Sequence, residues 1–260
     1  MRTLAIELIP ILEDNYVFLI QNHLTGKTAL VDPGEAEPCL KSLKAKHKSL
    51  DYILITHHHA DHIDGIAELK QHFPNAQVFA PLKNKSQISD ADFYVQSNEI
   101  LRLEGLGEFE VIGLPGHTLG HVGYYSKLEN LLFSGDVLFG LSCGRLFEGS
   151  FEMTFATLQI LKNLPDETLV FCTHEYTMSN MKFVEELIET KQISSGYDVQ
   201  TFEIYKKELV EKRSQGKPSV PLNLGAEKKS NPMLYAKNAN DFTRIRQLRN
   251  VFKPRKTAST

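Results

Sequence analysis

The run ILITHHHADHIDG, residues 53–65, places four histidines and two aspartates directly after a short apolar stretch that is typical of a buried strand. His57 and His59 cannot share one face of a helix, because side chains two positions apart point away from each other, but they can converge on an irregular loop that leaves a strand. Asp61 and His62 are expected to begin the helix that follows. Two imidazoles suit one cation, and a carboxylate with an imidazole suits a second. The run therefore predicts a metal site at the end of a strand.

An isolated histidine on a loop is more often a solvated side chain than a ligand, and this alternative applies to each member of the run taken alone. Six clustered groups are different, because crowding imidazoles and carboxylates together costs free energy unless a cation compensates them. The run is internal and interleaved with alanine and aspartate, which excludes an affinity tag. A metal site is therefore the better explanation of the cluster.

Three further segments place a histidine or an aspartate after an apolar run. They are LPGHTLGH (114–121) with His117, FSGDVLF (133–139) with Asp136, and FCTHEYT (171–177) with His174. Each alone is weak evidence, because such residues at a strand end are commonly turn residues. Strand ends on one edge of a sheet are where loop residues gather into sites, so the three segments together support the first.

The first 173 residues or so contain short apolar and β-branched runs bounded by Gly, Pro, Asn and Asp, which predict strands. The candidate strands are 4–9, 16–21, 28–31, 51–55, 77–80, 109–113, 121–126, 130–133 and 168–172. Apolar residues recur every three or four positions in 36–46, 65–73 and 153–163, which predicts helices between some of the strands. This part of the chain is therefore mixed α and β.

After residue 175 the pattern becomes helical, and no strand is expected. Two apolar stripes predict helices: Met178, Met181, Val184, Leu187 and Ile188 form the first, and Phe202, Tyr205, Leu209 and Val210 form the second. The Gly and Pro content of 214–233 predicts a loop, and 240–252 predicts a last helix with Asn240 as its N-cap. The predicted domains are an α/β domain over residues 1–173 and a smaller all-α domain over residues 174–260.

Composition and charge narrow the function further. The chain has 260 residues, 42% of them hydrophobic, which is enough for a packed interior. A formal charge of −3 gives no overall attraction to nucleic acid or anionic lipid, so neither is expected as a partner. No apolar run approaches the roughly 18 residues that span a bilayer, and charged residues and a proline interrupt the N-terminus.

Three cysteines, Cys39, Cys143 and Cys172, are too widely spaced for a CxxC metal pair and are an odd number for a disulfide framework. A reducing compartment suits them. The sequence therefore predicts a soluble cytoplasmic protein without a signal peptide, and we expect a monomer.

The motifs resemble those of the metallo-β-lactamase superfamily, whose signature HxHxDH appears here as His57, His58, His59, Ala60, Asp61 and His62. The combination of THHHADHIDG, GHTLGH, SGDVLF, GRLFEGS and THEYT with a helical C-terminal part is similar to the glyoxalase II family, the hydroxyacylglutathione hydrolases, over nearly the whole chain. The resemblance implies an α/β fold of four αββα layers, the metallo-β-lactamase sandwich, with the site at one edge of the two sheets.

The resemblance also implies a set of seven ligands for two divalent cations. The ligands so implied are His57, His59 and His117 for the first ion, Asp61, His62 and His174 for the second, and Asp136 as the bridge between them. His58 and His121 match motif positions without belonging to the ligand set. Zinc is the expected metal, with iron or manganese as alternatives, because His, Asp and water ligands accept all three.

In the implied reaction, a hydroxide that bridges the two cations attacks the carbonyl carbon of a glutathione thioester, S-D-lactoylglutathione. Two cations about 3.5 Å apart can share a water, and even one zinc lowers the pKa of a bound water to about 7. The leaving group is the thiolate of a thiol with a pKa of roughly 8.5, and its expulsion needs little help from a general acid. Asp61 and Asp136 would act as catalytic residues together with the hydroxide.

Glutathione carries two carboxylates, so its site should offer cations and hydrogen-bond donors. The family pattern assigns these to Arg145, Tyr176, Arg246 and Arg249. For the last two residues the alternative is a solvated cationic face near the end of a helix. The chain departs from the pattern at two positions: Phe147 replaces the Tyr of some relatives, and Tyr235 stands where a basic residue is expected. Both departures bear on affinity for the thiol carrier rather than on hydrolysis.

Two other functions stay open. A mono-iron persulfide dioxygenase of the same superfamily shares the HxHxDH signature, although His174 and a helical second domain favour two metals and hydrolysis. A metal-binding protein without catalysis is the second alternative. All seven ligand positions hold chemically competent residues, which argues against a loss of function.

Overall fold

The computed structural model describes residues 2–253, and its first six strands form one sheet. These strands are β1 (Leu4–Ile11), β2 (Asn15–Asn22), β3 (Thr28–Val31), β4 (Tyr52–Leu54), β5 (Gln77–Pro81) and β6 (Phe93–Val95), in that spatial order. The first three pair antiparallel, and β3 to β6 pair parallel. Parallel neighbours need crossover connections, which here include α1 (Ala36–Ala45), α2 (Ala60–Ile63) and α3 (Ile66–His72).

The second sheet also has six strands. They are β7 (Ile100–Leu103), β8 (Gly107–Gly113), β9 (Val122–Ser126), β10 (Leu131–Gly135), β13 (Leu169–Cys172) and β14 (Leu222–Asn223), and the spatial order is β14-β13-β10-β9-β8-β7. Between β10 and β13 the chain forms a two-stranded ribbon, β11 (Leu138–Phe139) with β12 (Ser142–Cys143), and the helix α4 (Phe151–Lys162). Strand β13 lies parallel to β10, because α4 provides the crossover.

Two hydrophobic clusters fill the space between neighbouring layers. In the larger one, Phe18 of the first sheet meets Phe133 and Phe171 of the second, with ring centroids 5.7 and 5.4 Å away. The smaller cluster lies between the outer face of the first sheet and helices α1 and α3, where Leu43 and Leu69 are buried. Helix α4 covers the second sheet with Leu158 and Leu161. The four-layer αββα sandwich expected from the sequence is confirmed.

The C-terminal part is mainly helical, as expected. Its helices are α5 (Thr177–Glu189), α6 (Val199–Ser214), α7 (Leu224–Ser230), α8 (Pro232–Tyr235) and α9 (Ala239–Val251). Buried residues of this part, among them Met233, Phe242 and Ile245, belong to the same hydrophobic cluster as the sheets. The helices are therefore packed onto the sandwich rather than separated from it.

Three predictions for this part are wrong. The segment 214–233 is not a continuous loop, because Asn223 and Asn231 cap α7 and α8 with their side chains and Pro232 occupies the first turn of α8, where its missing N–H costs nothing. The strand β14 does occur beyond residue 175 and pairs with β13. Helix α9 is capped by Asn238, which accepts a hydrogen bond from Asp241 N, and not by Asn240.

Strands β6, β7, β11 and β12 were also outside the sequence-based prediction. They have two to four residues each, too few for alternation of apolar and polar side chains to be recognised. The helix expected to begin at Asp61 is a single short turn, α2, followed by a second helix, α3, that begins after Gly65. Within residues 2–253, no helix combines the length and the apolar character that crossing a bilayer requires.

Candidate metal centre and the cavity beside it

The predicted ligands lie at one edge of the sandwich, where strands end and loops begin. Strand β4 leads into the histidine loop, β10 leads to Asp136, and β13 leads to His174. An isolated β-bridge between Asn15 and His174 links the two sheets at this edge. Side chains that are up to 117 positions apart in the chain are thereby brought into one cluster.

His57, His59 and His117 form the first group of side chains that could hold a metal ion. The Nδ1 atom of His59 lies 3.1 Å from Nε2 of His57 and 3.0 Å from Nε2 of His117. The Nδ1 atom of His117 donates to the carbonyl of Arg145 at 2.7 Å, which leaves the lone pair on Nε2 of His117 free to bind a cation. Three imidazole nitrogens thus converge on one point.

Asp61, His62 and His174 form a second group that could hold an ion. The Oδ2 atom of Asp61 lies 3.5 Å from Nε2 of His174 and 3.7 Å from Nε2 of His62. These three residues are the ones that the sequence assigned to the second ion.

The carboxylate of Asp136 lies between the two groups. Its Oδ2 atom is 3.5 Å from Nε2 of His117 and 3.2 Å from Nε2 of His174, and its Oδ1 atom is 3.6 Å from Nε2 of His62. Asp136 also forms a third possible metal group with His57 and His62. One carboxylate can therefore reach toward both groups at once.

Unpaired buried atoms show that this cluster fits metal ions. His62 is fully buried, and its Nε2 atom has no hydrogen-bond partner within the described residues; the same is true of Oδ1 of Asp136. Buried polar atoms without partners are rare in folded proteins and cost free energy, and a cation bound between these atoms would compensate them. Imidazole and carboxylate are ligands of zinc and of related first-row metals. The protein binds divalent metal through this His and Asp cluster.

Several residues that sequence reasoning missed hold the predicted ligands in place. The Asp14 carboxylate accepts a hydrogen bond from Nδ1 of His174 at 2.8 Å, and Asn15 donates to Oδ2 of Asp61 at 2.9 Å. Partners of this kind fix the orientation of a ligand and strengthen metal binding. Their only signal in the sequence is an Asp-Asn pair before a strand, which by itself reads as a turn.

Asp32 was missed for the same reason. It sits at the end of β3 with a positive φ of 53° and accepts hydrogen bonds from the backbone N–H and the hydroxyl of Thr56, each at 2.7 Å. Its Oδ2 atom lies 3.0 Å from Nδ1 of His62. Gly34, two residues on, allows the backbone of Asp61 to approach, because a Cβ atom there would lie 1.9 Å from the Asp61 carbonyl oxygen.

Burial sets the protonation of the first group. It lowers the pKa of His57, His59 and His117, and the neighbouring imidazoles add to this effect. A neutral imidazole is the form that binds a cation. The first group is therefore in its metal-binding form at neutral pH.

The second group has the opposite bias. Burial alone would lower the pKa of His174, but the carboxylates of Asp136 and Asp14 raise it to about 9. Asp136 and Asp32 likewise raise the pKa of His62 despite its burial. Burial would raise the pKa of the Asp136 carboxyl, yet His62 and His174 hold it well below its usual range. In the absence of metal these carboxylates therefore favour protonated imidazoles, and a cation that binds here takes the place of their protons.

A cavity of about 550 Å³ adjoins the cluster. Its lining includes metal-cluster residues and every residue that the sequence assigned to substrate binding. The metal-cluster residues are His59, Asp61, His117, Asp136 and His174, and the others include Arg145, Phe147, Tyr176, Arg246 and Arg249. Cys143 also lines the cavity, but burial raises the pKa of its thiol, so it stays a thiol and not a nucleophilic thiolate.

The arginines of the cavity differ in how they are held. Arg246 is buried, with one guanidinium nitrogen donating to the carbonyl of Cys143 at 2.7 Å and two others donating to Oδ1 of Asn250. Arg249 lies between the rings of Phe183 and Phe252, which are 5.7 and 5.6 Å from its guanidinium carbon. Arg246 therefore ties the C-terminal helix to the ribbon, whereas Arg249 is held by the two rings and by hydrogen bonds that it donates to Asn180 and Ser179 of helix α5.

No carboxylate in residues 2–253 forms an ion pair with Arg145, Arg246 or Arg249; the ion-paired arginines there are Arg102, Arg213 and Arg244. Burial, together with the positive charges of Arg246 and Arg145, lowers the pKa of Arg249 to about 10. Three guanidinium groups without a carboxylate partner among the described residues line one cavity, and their positive charge creates a site for an anion.

Two aromatic residues that line the cavity also contact histidines of the metal cluster. Tyr176 stacks on His174 with ring planes 6° apart and centroids at 4.7 Å. Phe147 is 61% exposed and presents its ring at steep angles to His59 and His117. Tyr235, in contrast, does not line the cavity, and its hydroxyl donates to the carbonyl of Gly196. Of the two departures noted in the sequence, only Phe147 is placed to affect a bound molecule.

Two family models cover almost the entire chain. The model described as the metallo-beta-lactamase superfamily matches residues 12–174, and the model described as the hydroxyacylglutathione hydrolase C-terminus matches residues 175–252. The fold and the site thus define a metal-binding protein of the metallo-β-lactamase superfamily.

Similarity to whole proteins narrows the family. A protein named hydroxyacylglutathione hydrolase from Bdellovibrio bacteriovorus is 46% identical over 245 residues, which cover 94% of this chain and 97% of that protein. A second protein of this name, from Yersinia pestis, is 39% identical over 246 residues, which cover 95% of this chain and 91% of that protein. The chain belongs to the hydroxyacylglutathione hydrolase family.

Solved structures agree on the fold. ETHE1 from Myxococcus xanthus superposes with a TM-score of 0.70 at 24% identity and covers 96% of this chain and 93% of its own. The BLEG-1 B3 metallo-β-lactamase superposes with a TM-score of 0.60 at 28% identity, covering 65% of this chain and 91% of its own. TTHA1623, solved in a di-iron-bound form, superposes with a TM-score of 0.56 at 28% identity, covering 65% of this chain and 91% of its own.

Proposed function

We propose that this protein hydrolyses S-(2-hydroxyacyl)glutathione thioesters, with S-D-lactoylglutathione as the substrate and glutathione and D-lactate as the products. The observation that carries the proposal is one cavity that contains both the His and Asp cluster and three arginines without carboxylate partners. The cluster supplies hydrolytic chemistry, and the arginines suit a substrate with two carboxylates. The printed names of the relatives favour the same reaction.

The proposed centre contains two ions, zinc being the expected metal and iron or manganese the alternatives. The residues that would hold the first ion are His57, His59 and His117, those that would hold the second are Asp61, His62 and His174, and Asp136 would reach both. When bound, such cations supply a water that is ionised near neutral pH and a positive charge for the oxygen that becomes negative in the reaction. A di-iron form of TTHA1623 supports a pair of ions in this fold.

The residues of the chain orient the reactants. Asp61 and Asp136 direct carboxylate oxygens into the cavity, and Arg145, Arg246 and Arg249 would meet the carboxylates of glutathione. In hydrolysis, the oxygen of water bonds to the thioester carbon, the C–S bond breaks, and the sulfur leaves with the electron pair and takes up a proton. A thiol has a pKa of roughly 8.5, so this departure needs no strong acid, and no described residue has to act as one.

A persulfide dioxygenase with one iron is the main alternative, and two observations disfavour it. The second group, Asp61, His62 and His174, is complete beside the first. The C-terminal residues match the family model of hydroxyacylglutathione hydrolases. A binding protein without catalysis is disfavoured by the same complete set of ligands.

The test is an assay of purified protein with measured metal content. We expect hydrolysis of S-D-lactoylglutathione, and we expect the D-lactoyl thioester of N-acetylcysteamine, which lacks both carboxylates, to react with a kcat/KM lower by about 10²-fold or more because two charge-assisted contacts are lost. Oxygen consumption with glutathione persulfide and no thioester hydrolysis would contradict the proposal. Equal rates with both thioesters would remove glutathione as the recognised carrier.

Further proposals concern the whole protein. We infer a domain boundary between residues 173 and 174; the two family matches, which end at residue 174 and begin at residue 175, support a boundary within one residue of it. A cytoplasmic location and a monomeric state stay predictions; three buried cysteines without disulfide bonds suit a reducing compartment.

A further inference from the structure

His121, the second histidine of the run GHTLGH, is not in any group of possible metal ligands, yet it lies against the cluster. Its side chain precedes strand β9 and is almost completely buried, with 1% exposure. A polar side chain at this depth needs a reason, because burial of an imidazole without hydrogen bonds costs free energy.

Two contacts join His121 to the metal cluster. Its Nε2 atom accepts a hydrogen bond from the backbone N–H of Asp136 at 3.1 Å. Its ring stacks on that of His57, with the ring planes 22° apart and the centroids at 4.7 Å. His121 therefore touches one residue of the first group and the carboxylate residue that lies between the groups.

The backbone on which Asp136 is mounted depends on this contact. Gly135 has a positive φ of 49°, and its backbone turns the chain out of strand β10 immediately before Asp136. A Cβ atom on Gly135 would lie 2.7 Å from Nε2 of His121 and 2.5 Å from the hydroxyl of Thr56, so the imidazole packs directly against this turn. Within the described residues, His121 is the acceptor for the N–H of Asp136.

We propose that His121 is a positioning residue that fixes the backbone of Asp136 and thereby holds the Asp136 carboxylate between the two metal groups. The inference rests on the proposed metal centre, but not on the identity of the substrate. Because Asp136 reaches both groups, loss of the His121 contact should weaken the binding of both ions and lower kcat more than it changes KM.

The test compares two substitutions that differ by one methylene. In His121→Gln the amide oxygen can reach the former Nε2 position and accept from Asp136 N, whereas in His121→Asn the side chain is too short. Thr28→Val is the matched control, because it removes a buried hydrogen bond of 2.6 Å, to the carbonyl of Ser49, in a strand that does not carry a ligand. Metal content after dialysis, chelator competition and thermal unfolding are measured for all three variants and the wild type.

We expect His121→Gln to retain two ions, and His121→Asn to lose metal affinity by about 10- to 100-fold, as for other residues that orient ligands. Thr28→Val should retain wild-type affinity even if it unfolds at a lower temperature. If His121→Asn does not fold, His121→Phe replaces it, since it keeps the ring but not the acceptor. Equal metal affinity in the Gln variant and the variant without an acceptor would overturn the proposal. So would a loss of affinity in all three variants that simply follows their unfolding temperatures. Metal content does not depend on thioester turnover, so failure here is distinct from failure of the proposed function.

Discussion

At the scale of single residues, the second metal group depends on carboxylates that are not ligands themselves. Asp14 binds the Nδ1 atom of His174, and Asp32 lies beside Nδ1 of His62. Each contact turns the opposite nitrogen, Nε2, toward Asp61 and Asp136. The resemblance of the motifs to a known family implied the ligands, but nothing in the sequence pointed to these supporting residues, because a lone aspartate at a strand end has no distinguishing pattern.

Asp14→Asn tests this dependence. The substitution keeps the size of the side chain but removes the negative charge that helps to orient His174, so we expect affinity for one of the two ions to fall by about 10- to 100-fold. Titration of the metal-free protein with zinc, followed by calorimetry, measures it. Glu13→Gln, at the neighbouring position and without a contact to a ligand among the described residues, is the control. Two undisturbed binding steps in Asp14→Asn would contradict the role of Asp14.

Arg249→Ala tests the anion site of the cavity. Removing a guanidinium that meets a substrate carboxylate should raise KM for the glutathione thioester by about 10- to 100-fold, because a charge-assisted hydrogen bond is worth roughly 1.5–3 kcal/mol. Metal content should not change, since Arg249 contacts Asn180 and Ser179 and no member of the cluster. Arg244→Ala, on the same helix but outside the cavity lining, should leave KM as it is. An unchanged KM in Arg249→Ala would exclude this residue from the substrate site.

At the scale of elements, helix ends and strand ends place the residues that matter. Helix α9 carries Arg246 and Arg249, and its start is fixed by Asn238. The sequence pattern predicts Asn240 for this cap. Only the structure shows that Asn238 has the extended backbone of a cap, with φ −157° and ψ 173°, while Asn240 lies inside the first turn.

Asn238→Ala should therefore destabilise the protein by about 1 kcal/mol, because the N–H of Asp241 loses its acceptor. For a chain of this length the unfolding temperature should fall by roughly 2–4 °C. Asn240→Ala is the matched control, because it removes the same kind of side chain two residues later in the chain. Asn240 does not cap the helix, so the loss of stability should be smaller. Thermal unfolding followed by circular dichroism measures both. A larger loss in Asn240→Ala would reverse the assignment of the cap.

Glu227 ties helix α7 to the ribbon and to helix α6. Its carboxyl accepts hydrogen bonds from Leu141 N at 2.9 Å, from Asn231 at 2.9 Å and from the hydroxyl of Tyr205 at 2.6 Å. Burial nevertheless raises the pKa of this carboxyl above its usual value of 4.5. The folded state then binds a proton more tightly than the unfolded chain, so the contribution of Glu227 to stability is present below pH 4.5 and declines as the pH rises through the folded pKa.

Glu227→Gln should remove this loss, since the amide oxygen can accept from Leu141 N and Asn231 while the amide NH2 donates to the Tyr205 hydroxyl, and the amide does not ionise. We expect the variant to gain stability relative to the wild type as the pH is raised above 4.5 and through the folded pKa of Glu227, because only the wild type then buries a charge. Urea unfolding at several pH values measures the difference between the two proteins. A difference that is constant with pH would show that Glu227 does not titrate on folding.

At the scale of the whole molecule, the two parts of the chain share one interior. Phe242 and Ile245 of α9 belong to the same hydrophobic cluster as Phe133 and Phe171 of the second sheet, and β14 extends that sheet. The mixed α/β part and the helical C-terminal part could be predicted from the periodicity of apolar residues, which is a local property, whereas the four layers were implied by the resemblance of the motifs to a known family. The strand β14 could not, because a two-residue strand is defined by its partner, which lies about fifty positions earlier in the chain.

The account as a whole depends on a pair of cations at one edge of the sandwich. Anomalous diffraction at the zinc absorption edge, from crystals of the zinc-loaded protein, tests it most directly. The expected result is two peaks per chain, with the carboxylate of Asp136 between the two peaks. One peak should lie among His57, His59 and His117, and the other among Asp61, His62 and His174. A single peak, or two peaks away from these side chains, would contradict it.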